Sequence, residues 1–367
     1  MIFTVSTIFD TPENVELFVE RNLAAGVDHL FIFLDRHQPR VQEYLEQHPH
    51  ATVVATHDGF WGARRPPQLN VRQNAHANLV RTLLAPFGWA QWLFHLDGDE
   101  CPDMDRDLLL GLPPDVRVVS LQTMEAVSVP GGEQEIRFKR QLDEDELALL
   151  QVLGVTARPD NNSYFNGHAH GKAGIRPTLD FNLHIHRARD FDAELIEPYT
   201  SAELRLLHYD AISLEAFLAK WTTHAAAAQD AVFGRKKATI LSAVRSVQRN
   251  PRLDEAGKAR FLGEIYRRTV QDDVDLLDEL GYLVLPQPEY HRHRPEPLDG
   301  ARSASMHRLL RLLCEADKTY FRPHKPGQPK DLLAQCAKAV RREDRGLARE
   351  IEACVASASP LRVSQAL

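Results

Sequence analysis

Three carboxylates close the segment Trp92-Leu93-Phe94-His95-Leu96-Asp97-Gly98-Asp99-Glu100, directly after an apolar run. The run reads as a buried strand and the acids as the turn that follows it. Open α/β sheets take their ligands outside the carboxyl ends of the strands, so this turn stands where a ligand would sit. Asp97 and Asp99 are two residues apart, and an extended or turning backbone can aim both the same way. Two hard oxygen donors suit Mg²⁺ or Mn²⁺, and such an ion in turn holds the phosphates of a nucleotide. The competing reading is an acidic surface turn. The strongly apolar strand before it favours a site.

A second group follows in Asn166-Gly167-His168-Ala169-His170-Gly171-Lys172-Ala173-Gly174-Ile175-Arg176-Pro177. Glycines here let the backbone approach a ligand closely, as expected at Gly171. Lys172 and Arg176 offer positive charge to a phosphate or carboxylate. Asn182-Leu183-His184-Ile185-His186 then reads as a strand carrying His-x-His, with both imidazoles on one face. His184 or His186 could join Asp97 and Asp99 on a cation, since imidazole ligates Mn²⁺ acceptably. The plainer alternative is a hydrogen-bonded structural pair of histidines. Arg72, Gln73 and Asn74 open the helix that leads to the acidic strand, where they can touch a nucleotide or the acidic loop. Asp10 and Asp35, at the ends of the first two strands, join Arg72, Asn74, Asp97, Gly171, Lys172 and Arg176 as expected ligand contacts.

The elements that must position these groups alternate. Residues 2–8 form a strand, and Asp10 or Thr11 caps a helix with Pro12 at its first position. Strands at 29–34 and 51–56 flank a short helix over 39–47, and a long helix over 69–84 precedes the acidic strand. A loop rich in Gly, Arg and Pro spans 58–68. Such alternation predicts a mostly parallel central sheet flanked by helices, Rossmann-like in class. Val116–Thr123 reads as another strand, the acidic run 143–146 as a solvated helix start, and 155–190 as functional loop. From Ser213 the pattern turns helical, with helices near 237–248, 254–280, 302–316 and 330–355 and a frayed tail after Ser357. The proline- and histidine-rich stretch 285–300 reads as an extended linker.

Bulk composition sets limits. The 367 residues are 43% hydrophobic and 26% charged, an ordinary globular composition. A net charge of -7 leaves no surplus of Lys and Arg for nucleic-acid phosphates. No apolar run approaches the roughly 18 residues of a membrane span. Cys101, Cys314, Cys336 and Cys354 show neither metal spacing nor disulfide density. The opening Met1–Ser6 lacks the marks of a secretory signal, so a cytoplasmic setting is expected, with peripheral membrane contact still open through the basic C-terminal stretch.

The run Ala25-Gly26-Val27-Asp28-His29-Leu30-Phe31-Ile32-Phe33 resembles the opening of glycosyltransferase family 2-like proteins. Arg72-Gln73-Asn74 and Trp92–Glu100 fall where that family has its pre-site helix and Asp-x-Asp motif. Gly171-Lys172, Ile175-Arg176-Pro177, His184-x-His186, and His208-Tyr209 with Lys220-Trp221 extend the likeness across residues 1–225. The resemblance implies a GT-A fold, a nucleotide-sugar donor, a divalent cation, and a glycan, lipid or protein acceptor. The expected division is a GT-A-like domain over 1–225, a helical extension over 226–284, a linker over 285–300 and a C-terminal helical region over 301–367, with the helices from about 230 on outside the donor site. If transfer inverts, a carboxylate must deprotonate the acceptor hydroxyl, and Glu125, Asp160 and Asp180 are the candidates. The rivals are a nucleotidyltransferase acting on a sugar phosphate, a zinc enzyme built on His168, His170, His184 and His186, and a non-catalytic sugar- or nucleotide-binding protein.

Overall fold

A computed structural model describes residues 1–56, 59–62, 64–226, 235–323 and 328–358. The frayed tail expected after Ser357 therefore lies, from 359 on, outside the described residues. In chain order the elements begin β1 (Ile2–Ile8), α1 (Pro12–Ala24), β2 (His29–Leu34), α2 (Pro39–Gln47), β3 (Ala51–Ala55), α3 (Leu69–Leu84) and β4 (Trp92–His95). The middle of the chain forms β5 (Glu100–Met104), α4 (Arg106–Gly111), β6 (Val118–Ala126), β7 (Phe138–Lys139), α5 (Glu144–Val152), α6 (Asn161–Tyr164), β8 (Lys172–Ile175), β9 (Phe181–Leu183), β10 (Ala188–Asp190) and β11 (Tyr199–His208). Then come α7 (Leu214–Ala226), α8 (Arg235–Arg249), α9 (Glu255–Thr269), α10 (Val274–Glu279), β12 (Leu283–Val284), α11 (Gly300–Glu315), α12 (Pro329–Val340) and α13 (Arg345–Ser357).

The chain divides into two compact units, each assembled from separated stretches. The first comprises Met1–Gln122, Gly171–Arg205 and the chain from Pro288 on; the second comprises Thr123–His170 and Leu206–Gln287. The division expected from sequence ran end to end along the chain, whereas these units interleave.

The first unit is α/β. Its strands run in the order β3-β2-β1-β4-β8-β6. The pairs β1·β2, β2·β3 and β1·β4 are parallel, giving the 3-2-1-4 order of one doubly wound half. β1 and β2 are buried along their whole lengths, including Thr4, Ser6 and Thr7 of β1 and His29 of β2, so neither shows a strict apolar–polar alternation. Beyond β4 the sheet departs from the expected mostly parallel plan. β8 is antiparallel to β4, and β6 is antiparallel to β8, so the sheet is mixed. The inserted β8 is four residues long, too short to leave a periodic signature in the sequence.

Helices cover both faces of this sheet. On one side, Val15, Phe18 and Val19 of α1 and Val41 and Leu45 of α2 pack on Ile8, Leu30 and Ile32. On the other, Leu79, Val80 and Leu83 of α3 share a core with Phe3, Phe31, Phe33 and Leu93. Met306, Leu309 and Leu313 of α11, Leu333 of α12 and Ile351 of α13 belong to that same core. The C-terminal helices are thus part of the first unit's structure. The stretch expected as an extended linker is also tied down: His291 bonds buried Asp103 at 2.9 Å and His293 bonds Asp28 at 3.0 Å.

The second unit carries the end of β6, then β7 and β12, paired antiparallel. One helical core gathers Phe217, Trp221, Val244 and Tyr266; another gathers Leu147, Leu150, Phe165 and Leu277. The acidic run at 143–146 does start a helix, with Asp143 and Glu146 forming a capping box. The single helix expected over 254–280 is broken after Thr269. There Asp272 turns aside: its N–H donates to Ser128 O at 2.9 Å, and its Oδ2 accepts from Ser128 N at 2.8 Å. Asp273 then caps α10.

Candidate functional site

The acidic turn stands at the carboxyl edge of the parallel strands, beside the point where the order reverses between β1 and β4. Asp97 is its centre. Its Oδ2 lies 2.6 Å from Lys172 Nζ, and its Oδ1 accepts from Gln73 Nε2 at 2.6 Å. Glu100 Oε2 accepts the Asp97 backbone N–H at 2.7 Å and lies 3.2 Å from the same lysine nitrogen. Each partner of Asp97 comes from a different element: the donors Gln73 from the first turns of α3 and Lys172 from the start of β8, and the acceptor Glu100 from the start of β5. The Asp97 side chain keeps 30% of its surface exposed while Lys172 keeps none, so a ligand arriving from solvent meets the carboxylate with the ammonium behind it.

The charges fit that arrangement. Burial disfavours the ionised forms of both Asp97 and Lys172, but each offsets the loss for the other. The Asp97 carboxyl is held well below the ordinary carboxylate range, mainly by Lys172, and Lys172 is raised above the usual lysine value by Asp97 and Glu100. His95, wholly buried at the end of β4, is pushed down to about 4 by burial and then by the Lys172 charge, so its imidazole is neutral at pH 7. Neither of its ring nitrogens has a hydrogen-bond partner among the described residues.

Other expected contacts are placed differently. Arg72 makes a two-pronged pair with Asp35, 2.7 Å on each arm, and its remaining nitrogen donates to Pro66 O and Pro67 O at 2.8 Å. Arg65 adds a 2.8 Å ion pair to Asp35. Asp35 and Arg72 therefore lock the loop before α3 to the end of β2. Asp10 Oδ1 accepts from Thr11 N and Asn14 Nδ2, both at 2.7 Å, at the head of α1. Asn74 is half-buried on α3 and its Oδ1 has no hydrogen-bond partner among the described residues. Arg176 lies at the opposite end of the sheet from the acidic turn. It donates to Leu112 O at 2.7 Å and Val116 O at 3.0 Å and stacks on Trp92, the first residue of β4.

His184 and His186 do not stand on a strand. β9 ends at Leu183, and residues 184–187 form the turn into β10, closed by His184 N donating to Arg187 O at 2.8 Å. A hairpin needs such a turn, so the two imidazoles lose the shared face that strand geometry would have given. His186 Nδ1 donates to Gly171 O at 3.1 Å, which leaves the lone pair on Nε2. Gly171 itself is required. A Cβ there would fall far inside van der Waals distance of Leu121 O and 3.1 Å from the Leu121 carbonyl carbon. Among the described residues, no three of Asp97, Asp99, His184 and His186 bring ligand atoms within 4.8 Å of one another. Lys172 Nζ, 2.6 Å from Oδ2, already compensates the charge of Asp97, so its carboxylate does not fit as a resident ligand of Mn²⁺ or Mg²⁺ while Lys172 stays paired with it.

The proposed acceptor-side carboxylates are scattered. Asp160 caps α6, accepting from Ser163 N at 2.8 Å. Asp180 faces Arg117 at 3.8 Å, and Arg117 O accepts from Arg176 N, which puts Asp180 at the Arg176 end of the sheet. Glu125, in the second unit, is wholly buried. It pairs with Lys139 at 3.0 Å and accepts the backbone N–H of Asn166 at 2.6 Å and that of Gly167. Lys139 also meets Asp272 at 2.9 Å, and His208 Nδ1 lies 3.7 Å from Glu125. Burial would raise Glu125, but Lys139 and His208 outweigh it and hold the carboxyl at about 2. A base so weak is poorly matched to taking a proton near pH 7. Its geometry suits anchoring the 166–167 backbone instead. A side chain at Gly167 would overlap the His208 ring, so the close approach there also needs glycine. Sequence reasoning missed Lys139 and Asp272. Lys139, set among Arg137, Phe138 and Arg140, carries no local signal; the signal for Asp272 is the double acid Asp272-Asp273 interrupting a helical pattern.

No family model matches this chain, and no curated protein matches it. Among solved structures, HddC from Yersinia pseudotuberculosis is similar over 35% of the chain at 12% identity, with a TM-score of 0.21. The chain spans 59% of that protein's length. No helix among the described residues is long and apolar enough to cross a membrane.

Proposed function

We propose that this chain is a glycosyltransferase that takes its sugar from a nucleotide-sugar donor. The observation that carries the reading is the Asp97–Glu100 turn at the carboxyl edge of a 3-2-1-4 parallel sheet, beside the β1/β4 switch point where such sheets take nucleotides. The resemblance of residues 1–225 to glycosyltransferase family 2-like proteins, and with it a GT-A-type arrangement, supports the same reading. In it, Asp97 faces the donor and is kept ionised and oriented by Lys172 and Gln73. Glu100 fixes the turn by holding the Asp97 N–H, and Arg72 with Asp35 hold the loop that borders the donor edge. A departing nucleoside diphosphate needs compensating positive charge. The Mn²⁺ or Mg²⁺ that the family resemblance implies would have to take donors other than Asp97, whose carboxylate is paired with Lys172. The acceptor is a glycan, lipid or protein.

A nucleotidyltransferase acting on a sugar phosphate remains the second reading, since the same sheet and turn suit it. The segment after β1, Phe9-Asp10-Thr11-Pro12-Glu13-Asn14, carries no glycine to wrap a triphosphate, which favours the first. The two differ in their products. The protein is to be incubated with UDP-, GDP- and dTDP-sugars, and separately with sugar 1-phosphates plus nucleoside triphosphates. Nucleoside diphosphate released from one of the nucleotide-sugars, by slow hydrolysis or transfer, is the expected result. Pyrophosphate released from the second set supports the rival. Neither product, together with no nucleotide binding, contradicts both.

A further inference from the structure

The geometry points to Lys172 as the built-in counter-ion of the acidic turn, holding the position that a divalent cation would otherwise take between Asp97 and Glu100. Its Nζ lies 2.6 Å from Asp97 Oδ2 and 3.2 Å from Glu100 Oε2, so one ammonium bridges two carboxylates from either side of the turn. The remaining Asp97 oxygen is engaged by Gln73 at 2.6 Å, and Glu100 is also fixed by the Asp97 N–H at 2.7 Å. Lys172 cannot swing away into water. Its side chain is completely buried, and β8 is clasped between β4 and β6 through Ile175, Gly174 and Lys172 itself. A second cation at Asp97 would sit next to a fixed positive charge and be repelled by it. Remove the ammonium, and buried Glu100 and part-exposed Asp97 are left as like charges facing one another, a combination that recruits a hard divalent ion.

This goes beyond the proposed function, and its test needs no nucleotide. Mn²⁺ alone is titrated into the full chain and followed by electron paramagnetic resonance of the free ion. Three proteins are compared: wild type, Asp97→Asn and Lys172→Ala, with folding checked by circular dichroism. Wild type and Asp97→Asn are expected to give the same titration, because Asp97 contributes no ligand. Lys172→Ala is expected to gain a Mn²⁺ site at least about tenfold tighter than any in wild type, as paired carboxylates lose their ammonium. Wild-type binding that Asp97→Asn abolishes would overturn the inference. So would a folded Lys172→Ala protein with no gain. If Lys172→Ala does not fold, the wild-type and Asp97→Asn comparison decides by itself. Wild-type binding through Asp97 would leave the glycosyltransferase reading standing with a metal at Asp97, whereas absence of nucleotide binding would remove that reading without touching the Mn²⁺ result.

Discussion

Lys139→Met is expected to destabilise the second unit by about 3–5 kcal/mol, the usual cost of removing one partner from a buried ionic group. Lys139 is fully buried between Glu125 at 3.0 Å and Asp272 at 2.9 Å. Methionine fills a similar volume but leaves two buried carboxylates without their cation. Those carboxylates are what hold the 166–167 backbone to β6 and the break between α9 and α10 to Ser128. The measurement is urea unfolding followed by hydrogen exchange in peptides from 123–170 and 260–280. The variant should also respond to acid differently. In the wild type Glu125 titrates at about 2 rather than 4.5, so it contributes stability that is complete above 4.5 and lost as pH falls towards 2. A lowering of that size corresponds to about 3 kcal/mol. Asp272 works the other way, because burial pushes its carboxyl above the ordinary value. Without Lys139 the Glu125 contribution disappears, so the gap between variant and wild type should narrow below pH 4.5. A double change, Glu125→Gln with Lys139→Met, should recover part of the loss by removing one stranded charge. A Lys139→Met protein as stable as wild type would show that this network does not hold the unit.

Gly171→Ala is expected to cost about 4 kcal/mol or more, within the exceptional range for a single substitution. The added methyl group meets the Leu121 carbonyl oxygen, and that carbonyl belongs to a strand paired with β8 at Leu121 and Lys172. A flexible side chain could move aside cheaply; a sheet backbone cannot. Relief requires β8 to leave β6, and Lys172 would leave Asp97 with it. The control is Gly131→Ala, where a Cβ meets nothing within 4 Å and stability should stay within about 0.5 kcal/mol of wild type. Thermal unfolding of the two variants compares them directly. Equal melting temperatures would mean that β8 does not sit as close to β6 as described.

The alternation from β1 to β4 was legible in the sequence because its signals are local. Ile2–Ile8 is rich in Ile, Phe, Val and Thr, His29–Leu34 is apolar after its first residue, and Pro12 after Thr11 marks the head of α1. The acidic turn was legible for the same reason: Asp97 and Asp99 abruptly following Trp92–Leu96 end the strand, although Glu100 goes on to open β5. What was not legible depends on distant partners. Nothing near Lys172 in sequence says that it will meet Asp97, 75 residues earlier. Nothing near Asp272 says that it will leave a helical path for Ser128 and Lys139. The His184-x-His186 alternation imitated a strand, but the hairpin required its turn at those positions. The C-terminal helices looked separable because their apolar stripes carry no address; in the structure they share one core with α3.

The account rests on the carboxyl edge of β1 and β4 being the nucleotide site. Hydrogen exchange read by mass spectrometry, with and without a saturating nucleotide-sugar, tests this most directly. The expected result is slowed exchange concentrated at residues 8–10 and 96–100, with the amino ends of the same strands unchanged. Binding that slows exchange around Leu112, Arg176 and the start of β4 instead, leaving 96–100 unaffected, would contradict it.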